Sequence, residues 1–425
     1  MLDFESALAR AQAQEEVIPP AAAQAIVVAC DSLQLDAAAL AAGGRQSGAM
    51  AVPLVAALAQ ALQSAGQADA VRYLHYGATT QDVVDTAQAL MTRHALDELL
   101  AQVQASVQWL RSEAARHART PMLARTLLQP AQVTSWGLKC AQWAAPLTRS
   151  HAQLRLLARR ALALQLGGAV GNLSTLGEAG ERVATRVAAH LGLRCAVGNW
   201  HTQRDEWMRL GLEVAVLAGS LSKIAGDLVL MSQAEVAEVV AGDAQSGGSS
   251  AMPHKRNPVA CMQAVAACAQ VPHLAATLLS TMAQAHERGM GEWQAEVAVW
   301  PQLWVQAFAA ASAVNAALSG LRADPQRMAR NIDELQGVVC SEALAHTLAV
   351  SLGKPAAAAL VRSLGAQAIE RRTPLVTLLL ADPAVAALDA SQRAALATAC
   401  DPAVAVLPSA RLCERILRTA DTDAL

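Results

Sequence analysis

The stretch GGSSAMPHKRNP, residues 247–258, sets two glycines, two hydroxyls and the cluster His254, Lys255 and Arg256 directly before Asn257, Pro258 and a long apolar run. Asn is a favoured N-cap and Pro a favoured first helical residue, so the spacing predicts a helix from residue 258 onward. The unpaired N–H groups and positive end of that helix face a loop that already carries Lys255 and Arg256, which together make an anion site. Gly247 and Gly248 leave the loop free to close over a ligand. For Gly-Ser-Ser alone a solvated linker is the plainer reading, and the order of the whole stretch argues against it.

Three further clusters carry polar groups next to predicted helices. In HYGATTQDVVDT, residues 75–86, His75 and Gly77 precede Thr79, Thr80 and Gln81, whose hydroxyls and amide suit carboxylate or phosphate oxygens. Taken alone, Thr-Thr-Gln-Asp is more simply a capping box. In AHERGMGEW, His286, Glu287 and Arg288 are expected to end an apolar helix, where a basic last turn serves the helix dipole or a ligand. In WHTQRDEW, His201, Gln203 and Arg204 come before a long helix, with Asp205 as its expected cap.

The elements that must hold these groups are long helices. In the segment 205–241, Leu210, Val214, Leu217, Leu221, Ile224, Leu228 and Met231 recur at alternating steps of four and three, with Glu213, Lys223 and Asp227 off the seam. A continuous helix there would be about 55 Å long. Segments 86–118, 132–165 and 258–285 have similar character, and no alternating strand pattern stands out. The reading is therefore an all-α chain: an N-terminal helical domain over 1–95, a central long-helix bundle over 96–345 and a C-terminal helical domain over 346–425. A chain of 425 residues is long enough for such a division.

Composition narrows the partners. The formal net charge is −2, which argues against a nucleic-acid or anionic-membrane surface. Only 16% of residues are charged and 54% are hydrophobic, so extensive helix faces are expected to be covered by partner subunits. The uncharged runs 258–285 and 297–321 are broken by Gln, Pro or Asn and read as soluble core rather than membrane spans. The eight cysteines form no CxxC pair, so they read as small buried apolar groups in a reducing cytoplasm, with no metal site. No secretory leader is expected from the acidic N-terminus.

Together GGSSAMPHKRNP, HYGATTQDVVDT, ARTLLQPAQVTSWGLK (124–139) and HTQRD resemble the motifs of the fumarase/aspartase superfamily, in order and spacing, from about residue 40 to 345. Gln81, LGGAVGNLSTLG (166–177), WHTQRD and HERGMGEW resemble most its carboxymuconate-cycloisomerase branch. The resemblance implies a three-domain fold, a homotetramer with active sites shared between subunits, no cofactor and a small tricarboxylate substrate. It also implies proton transfer at the carbon next to a carboxylate through an intermediate with extra negative charge on that group. On it, Ser249 matches the base, Lys255 and Asn257 the groups facing the developing charge, and Arg288 a substrate-binding arginine. His75, Thr79, Thr80, Gln81, Thr126, His201 and Gln203 match carboxylate contacts.

One departure bears on the reaction. Lyases of the superfamily that expel an amine or hydroxyl usually carry His after Arg-Thr, where this chain has Arg125-Thr126-Leu127, and GAMAVPLV (48–55) lacks the histidine of the adenylosuccinate lyases. An amine must be protonated to leave, whereas a carboxylate, with a pKa near ~4, leaves unprotonated. The missing histidines favour lactone closure and opening over an adenylosuccinate-type elimination. Intact Ser249, Lys255 and Asn257 argue against a non-catalytic scaffold.

Overall fold

The computed structural model describes residues 1–240, 248, 252 and 255–422. In chain order, short helices α1 (Leu2–Gln14), α2 (Pro20–Ser32), α3 (Ala37–Ser47) and α4 (Ala51–Ser64) lead into α5 (Thr80–Arg116). Strands β1 (Pro121–Thr126) and β2 (Gln129–Ser135), helix α6 (Trp136–Ala161), strand β3 (Ala163–Leu164), helix α7 (Gly180–Leu191) and strand β4 (Arg194–Cys195) follow. Then come α8 (Asp205–Ser232), β5 (Val239–Val240), α9 (Val259–Ser280), α10 (Glu292–Ser319), β6 (Arg322–Ala323) and α11 (Pro325–Asp333), with shorter helices from Ser341 to Thr422. Contacts group the chain into two compact units: 1–101, 150–218 and 267–308 form the first, and 102–149, 219–266 and 309–425 the second.

In the first unit the N-terminal helices share a core of Ile26, Leu54, Leu58 and Leu62, the last three at helical steps of four along α4. Deeper in that unit Trp207 of α8 stacks on Trp300 of α10 with ring centroids 4.0 Å apart. The Trp300 indole donates to Thr92 Oγ1 on α5 at 2.8 Å, so one aromatic side chain locks three helices together. Gly211 is required here, since a Cβ on it would sit 2.8 Å from the Trp300 ring. The seam read from the sequence is the buried face of α8: Leu210, Val214, Leu217, Leu221, Ile224, Leu228 and Met231 are all buried.

Helix α8 is shorter than the sequence pattern suggested. It stops at Ser232, 28 residues from its start and about 42 Å long, and Ala237 takes a left-handed φ of 47°. The next residue, Glu238, explains the break. Its fully buried carboxylate accepts two parallel hydrogen bonds from Arg125, Nη1 to Oε2 and Nη2 to Oε1, both 2.8 Å, and one from Asn331 Nδ2 at 2.9 Å. A helix continued through 241 would leave that chelate unmade. β5 then pairs antiparallel with β6, and the second unit's core gathers Leu344, Leu348, Leu375, Leu379 and Leu396.

The sequence reading also missed a hairpin. β1 and β2 pair antiparallel, Thr126 facing Gln129 across a turn of Leu127 and Leu128 with φ of 51° and 63°. Glycine or asparagine normally marks such a turn, and two leucines conceal it. The α9 boundary lies one residue later than expected: Pro258 O accepts the Met262 N–H, so Pro258 rather than Asn257 holds the cap position.

Replacing Arg125 by Leu removes the only cation among the described residues bonded to buried Glu238. We expect a loss of about 3–5 kcal/mol in unfolding free energy by denaturant titration, because a buried carboxylate is left uncompensated. A loss below about 1 kcal/mol would mean that the chelate does not hold the hairpin.

Candidate active site

The first unit builds its polar centre on the first turn of α5. Thr79 O accepts the Val83 N–H, which makes Thr79 the cap residue, and Asp82 Oδ2 accepts from Thr79 N at 3.0 Å. Carboxylates are stabilised there by the helix's positive end. Asp82 and Asp85, three residues apart on the same helix, are both fully buried, so each needs enough donors to replace water.

Asp82 takes its remaining donors from the backbone and one imidazole. Gly167 N reaches Oδ1 at 3.0 Å, Gly168 N reaches Oδ2 at 2.9 Å, and His201 Nε2 lies 2.7 Å from Oδ1. With Nε2–H on the carboxylate, the fully buried His201 ring is tied to α5 and shows no surface to solvent. Gly168, at φ 73°, passes so close to Gly77 that a Cβ would lie 2.9 Å from the Gly77 carbonyl oxygen. The glycine-rich run therefore lets the backbone reach the carboxylate.

Asp85 takes its donors from side chains. Arg204 Nη1 donates to Oδ2 at 2.8 Å, Trp293 Nε1 to Oδ1 at 2.9 Å, Gln165 Nε2 to Oδ2 at 3.1 Å and Gln81 Nε2 to Oδ2 at 3.2 Å. The Arg204 guanidinium also chelates buried Glu296, with Nε to Oε2 at 2.9 Å, and lies 4.4 Å from the Trp200 ring centroid. Burial alone would lower the Arg204 pKa, but the charges of Asp85 and Glu296 raise it, so the guanidinium stays a cation. Two carboxylates around one guanidinium leave a surplus negative charge. Burial, helped by Asp85, accordingly pushes the Glu296 carboxyl above its ordinary value despite Arg204.

Arg288 lies beside this frame. α9 ends at Ser280, so Arg288 sits on the loop before α10 rather than in a last helical turn, and a helix-dipole role does not apply. Its Nη2 donates to Ala169 O at 2.8 Å and Gly168 O at 3.4 Å, and its Nη1 to Thr79 Oγ1 at 3.4 Å and Gln81 Oε1 at 3.5 Å. Among the described residues every partner is a neutral oxygen, and none of them neutralises the guanidinium. Thr80, half-buried, opens α5 between Thr79 and Gln81 in sequence. His75, at φ 57°, sets Nδ1 2.7 Å from Glu5 Oε1.

The structure thus brings Thr79, Gln81, His201 and Arg288 into one hydrogen-bonded cluster, with Thr80 and His75 flanking it in sequence. Gln203 is exposed. Exposed Thr126 and Lys255 and half-buried Asn257 belong to the second unit, where Gly248 and Arg256 form an isolated antiparallel bridge; Ser249 lies outside the described residues. Sequence reading did not single out Asp82, Asp85 and Glu296, and it named Arg204 without a role. The available signal was two acids three apart near the start of a helix, with a buried-type arginine elsewhere in the chain, and a single sequence does not pair them.

The chain belongs to the lyase family of the fumarase/aspartase superfamily: a profile of that lyase family matches residues 2–272. The 3-carboxy-cis,cis-muconate cycloisomerase of Bradyrhizobium diazoefficiens is 44% identical over 389 residues, covering 91% of this chain and 86% of that one. The enzyme of the same name from Pseudomonas aeruginosa is 42% identical over 380 residues, covering 89% and 83%. The crystal structure of the 3-carboxy-cis,cis-muconate lactonizing enzyme from Pseudomonas putida matches with a TM-score of 0.92 at 35% identity, over 99% of this chain and 93% of that one. The all-α fold expected from the helical pattern is the fold observed, with short two-stranded pairs added.

Burial alone would lower the His75 pKa, but the Glu5 hydrogen bond and the charges of Glu5 and Asp82 outweigh it and raise it. The charged imidazole is thus favoured by folding, and its stabilisation is complete below the ordinary histidine value of about 6.5 and lost as pH rises through the raised one. Glu5→Gln should move the His75 midpoint down in an NMR titration and remove that part of the stability profile. An unmoved midpoint would dissociate His75 from Glu5.

Proposed function

We infer that this chain is a cofactor-free cycloisomerase that interconverts 3-carboxy-cis,cis-muconate and 4-carboxymuconolactone. The supporting observation is the 44% identity to a cycloisomerase of that name across nine-tenths of the chain, joined to an arginine cation that neutral oxygens hold. A substrate with three carboxylates needs fixed cations that are not already paired within the protein.

In the forward direction the distal carboxylate of the substrate attacks the carboxyl-bearing alkene carbon, and a proton is delivered to the neighbouring carbon next to a carboxylate. The tricarboxylate and the delivered proton together account for the lactone dicarboxylate, with one C–O bond and one C–H bond made and one C=C bond consumed. Between the two events the neighbouring carboxylate carries extra negative charge. Lys255, Asn257 and the N–H groups that open α9 stabilise it, which is ordinarily the largest catalytic contribution. Ser249 exchanges the proton. Its hydroxyl needs that same positive surrounding to act as a base. Arg288, with the hydroxyls of Thr79 and Thr80 and with His75, holds a second carboxylate, and Thr126 and Gln203 complete the contacts. In the reverse direction the leaving carboxylate departs without a proton.

The working form in this reading is a cytoplasmic homotetramer with shared active sites, built from the three domains 1–95, 96–345 and 346–425. Helices α8, α9 and α10 are each long and apolar enough to cross a membrane by length and composition, and only 33–44% of their most apolar windows is buried within the chain. Partner helices are the cover we assign to them, with exposed Leu230, Met262 and Val305 at the contacts. The exposed pair Leu127 and Leu128 forms a second surface to cover. A monomeric mass in light scattering would overturn that assembly.

Purified protein mixed with 3-carboxy-cis,cis-muconate should consume it in an ultraviolet absorbance assay, while adenylosuccinate should release no AMP. Lys255→Met should lower kcat by roughly 10²-fold or more, since the ammonium acts where charge develops. AMP release, or a Lys255→Met kcat within about two-fold of the parent, would contradict the reading.

A further inference from the structure

Gln81 is all but fully buried, with 1% of its surface exposed, and its amide has one chemically consistent orientation. One edge of it faces Asp85 Oδ2 at 3.2 Å and the His201 carbonyl oxygen at 2.9 Å, and neither of these can donate. The other edge faces Arg288 Nη1 at 3.5 Å, and a guanidinium cannot accept. Flipping the amide would put oxygen against a carboxylate and a carbonyl, and NH₂ against a cation. The Asp85 carboxylate oxygens already accept from Arg204, Trp293 and Gln165. Both N–H groups of Gln81 are therefore spent inside the protein, and the atom it turns toward the site is a carbonyl oxygen. Toward a substrate carboxylate that oxygen is repulsive; toward Arg288 it is attractive.

We propose that Gln81 is a positioning residue for Arg288 and does not bind substrate: buried Asp85 fixes the amide, and the amide oxygen, with Thr79 Oγ1 and the carbonyls of Gly168 and Ala169, aims the guanidinium. The contacts are long, 3.4–3.5 Å on Nη1, as befits a pocket that tightens when a ligand arrives. The chain of dependence runs from Glu296 and Arg204 through Asp85 and Gln81 to Arg288. This inference rests on the reading of Arg288 as the holder of a substrate carboxylate.

The test is a cycle of Gln81→Met, which keeps the side chain's length and removes its amide, with Arg288→Met. Wild-type turnover of 3-carboxy-cis,cis-muconate is measured first, and its absence would defeat the assigned reaction without touching the cycle's structural arm. In the parent, Gln81→Met should raise KM about ten-fold with kcat changed less. In the Arg288→Met background it should change KM by no more than about two-fold, because the group it serves is gone. A persistent ten-fold effect there would show that Gln81 touches substrate or merely supports the fold, and would overturn the proposal. Independently of any substrate, a crystal structure of Gln81→Met should show the Arg288 guanidinium displaced from Thr79 and the Ala169 carbonyl. An unmoved guanidinium also overturns it.

Discussion

Two buried carboxylates on one helical turn set the terms for the first unit. Asp82 stands where the dipole of α5 favours it, but Asp82 and Asp85 are both taken fully out of water, and an ionised carboxylate without donors would cost several kcal/mol there. The chain supplies those donors from segments far along the sequence. Gly167 and Gly168 give backbone N–H groups, His201 gives an imidazole, and Arg204, Gln165 and Trp293 give side chains. The partition has a consequence. Asp82 mostly binds backbone and so shapes a loop; Asp85 binds side chains and so orients them.

That division explains how a cation can be offered to a ligand by a chain with so few charges. Arg204 is consumed by Asp85 and Glu296 and serves architecture. Among the described residues Arg288 donates only to neutral oxygens, two of them from the loop that Asp82 shapes and one from the amide that Asp85 orients. The second unit uses the same device for structure alone: buried Glu238 gathers Arg125 and Asn331, breaks the path of α8 and anchors the hairpin. In both units a buried acid decides where irregular backbone goes.

Periodic features were legible in the sequence, and partnerships were not. The α8 seam from Leu210 to Met231 could be read because one helix face repeats locally. Its end at Ser232 could not, because the cause is Glu238 reaching Arg125, 113 residues away. The hairpin stayed hidden since Leu127 and Leu128 occupy turn positions that glycine or asparagine usually announce. Arg288 was legible through its motif, although its place on a loop was not. Gln81 was visible as a polar group beside the site, but the direction its amide faces depends on Asp85 and on the His201 carbonyl, 120 residues distant. Chemistry-bearing residue types announce a site; the donors and acceptors behind them require the fold.

The central claim is that the Asp82 carboxylate holds the segment 166–171 in place. Hydrogen exchange in Asp82→Asn, followed by mass spectrometry, tests it most directly, since Gly167 and Gly168 donate their amides to that carboxylate. The account predicts exchange about ten-fold faster or more in peptides covering 165–171, with the α8 peptides over 217–231 unchanged. Unchanged protection at 165–171, or an equal loss of protection along α8, would contradict it.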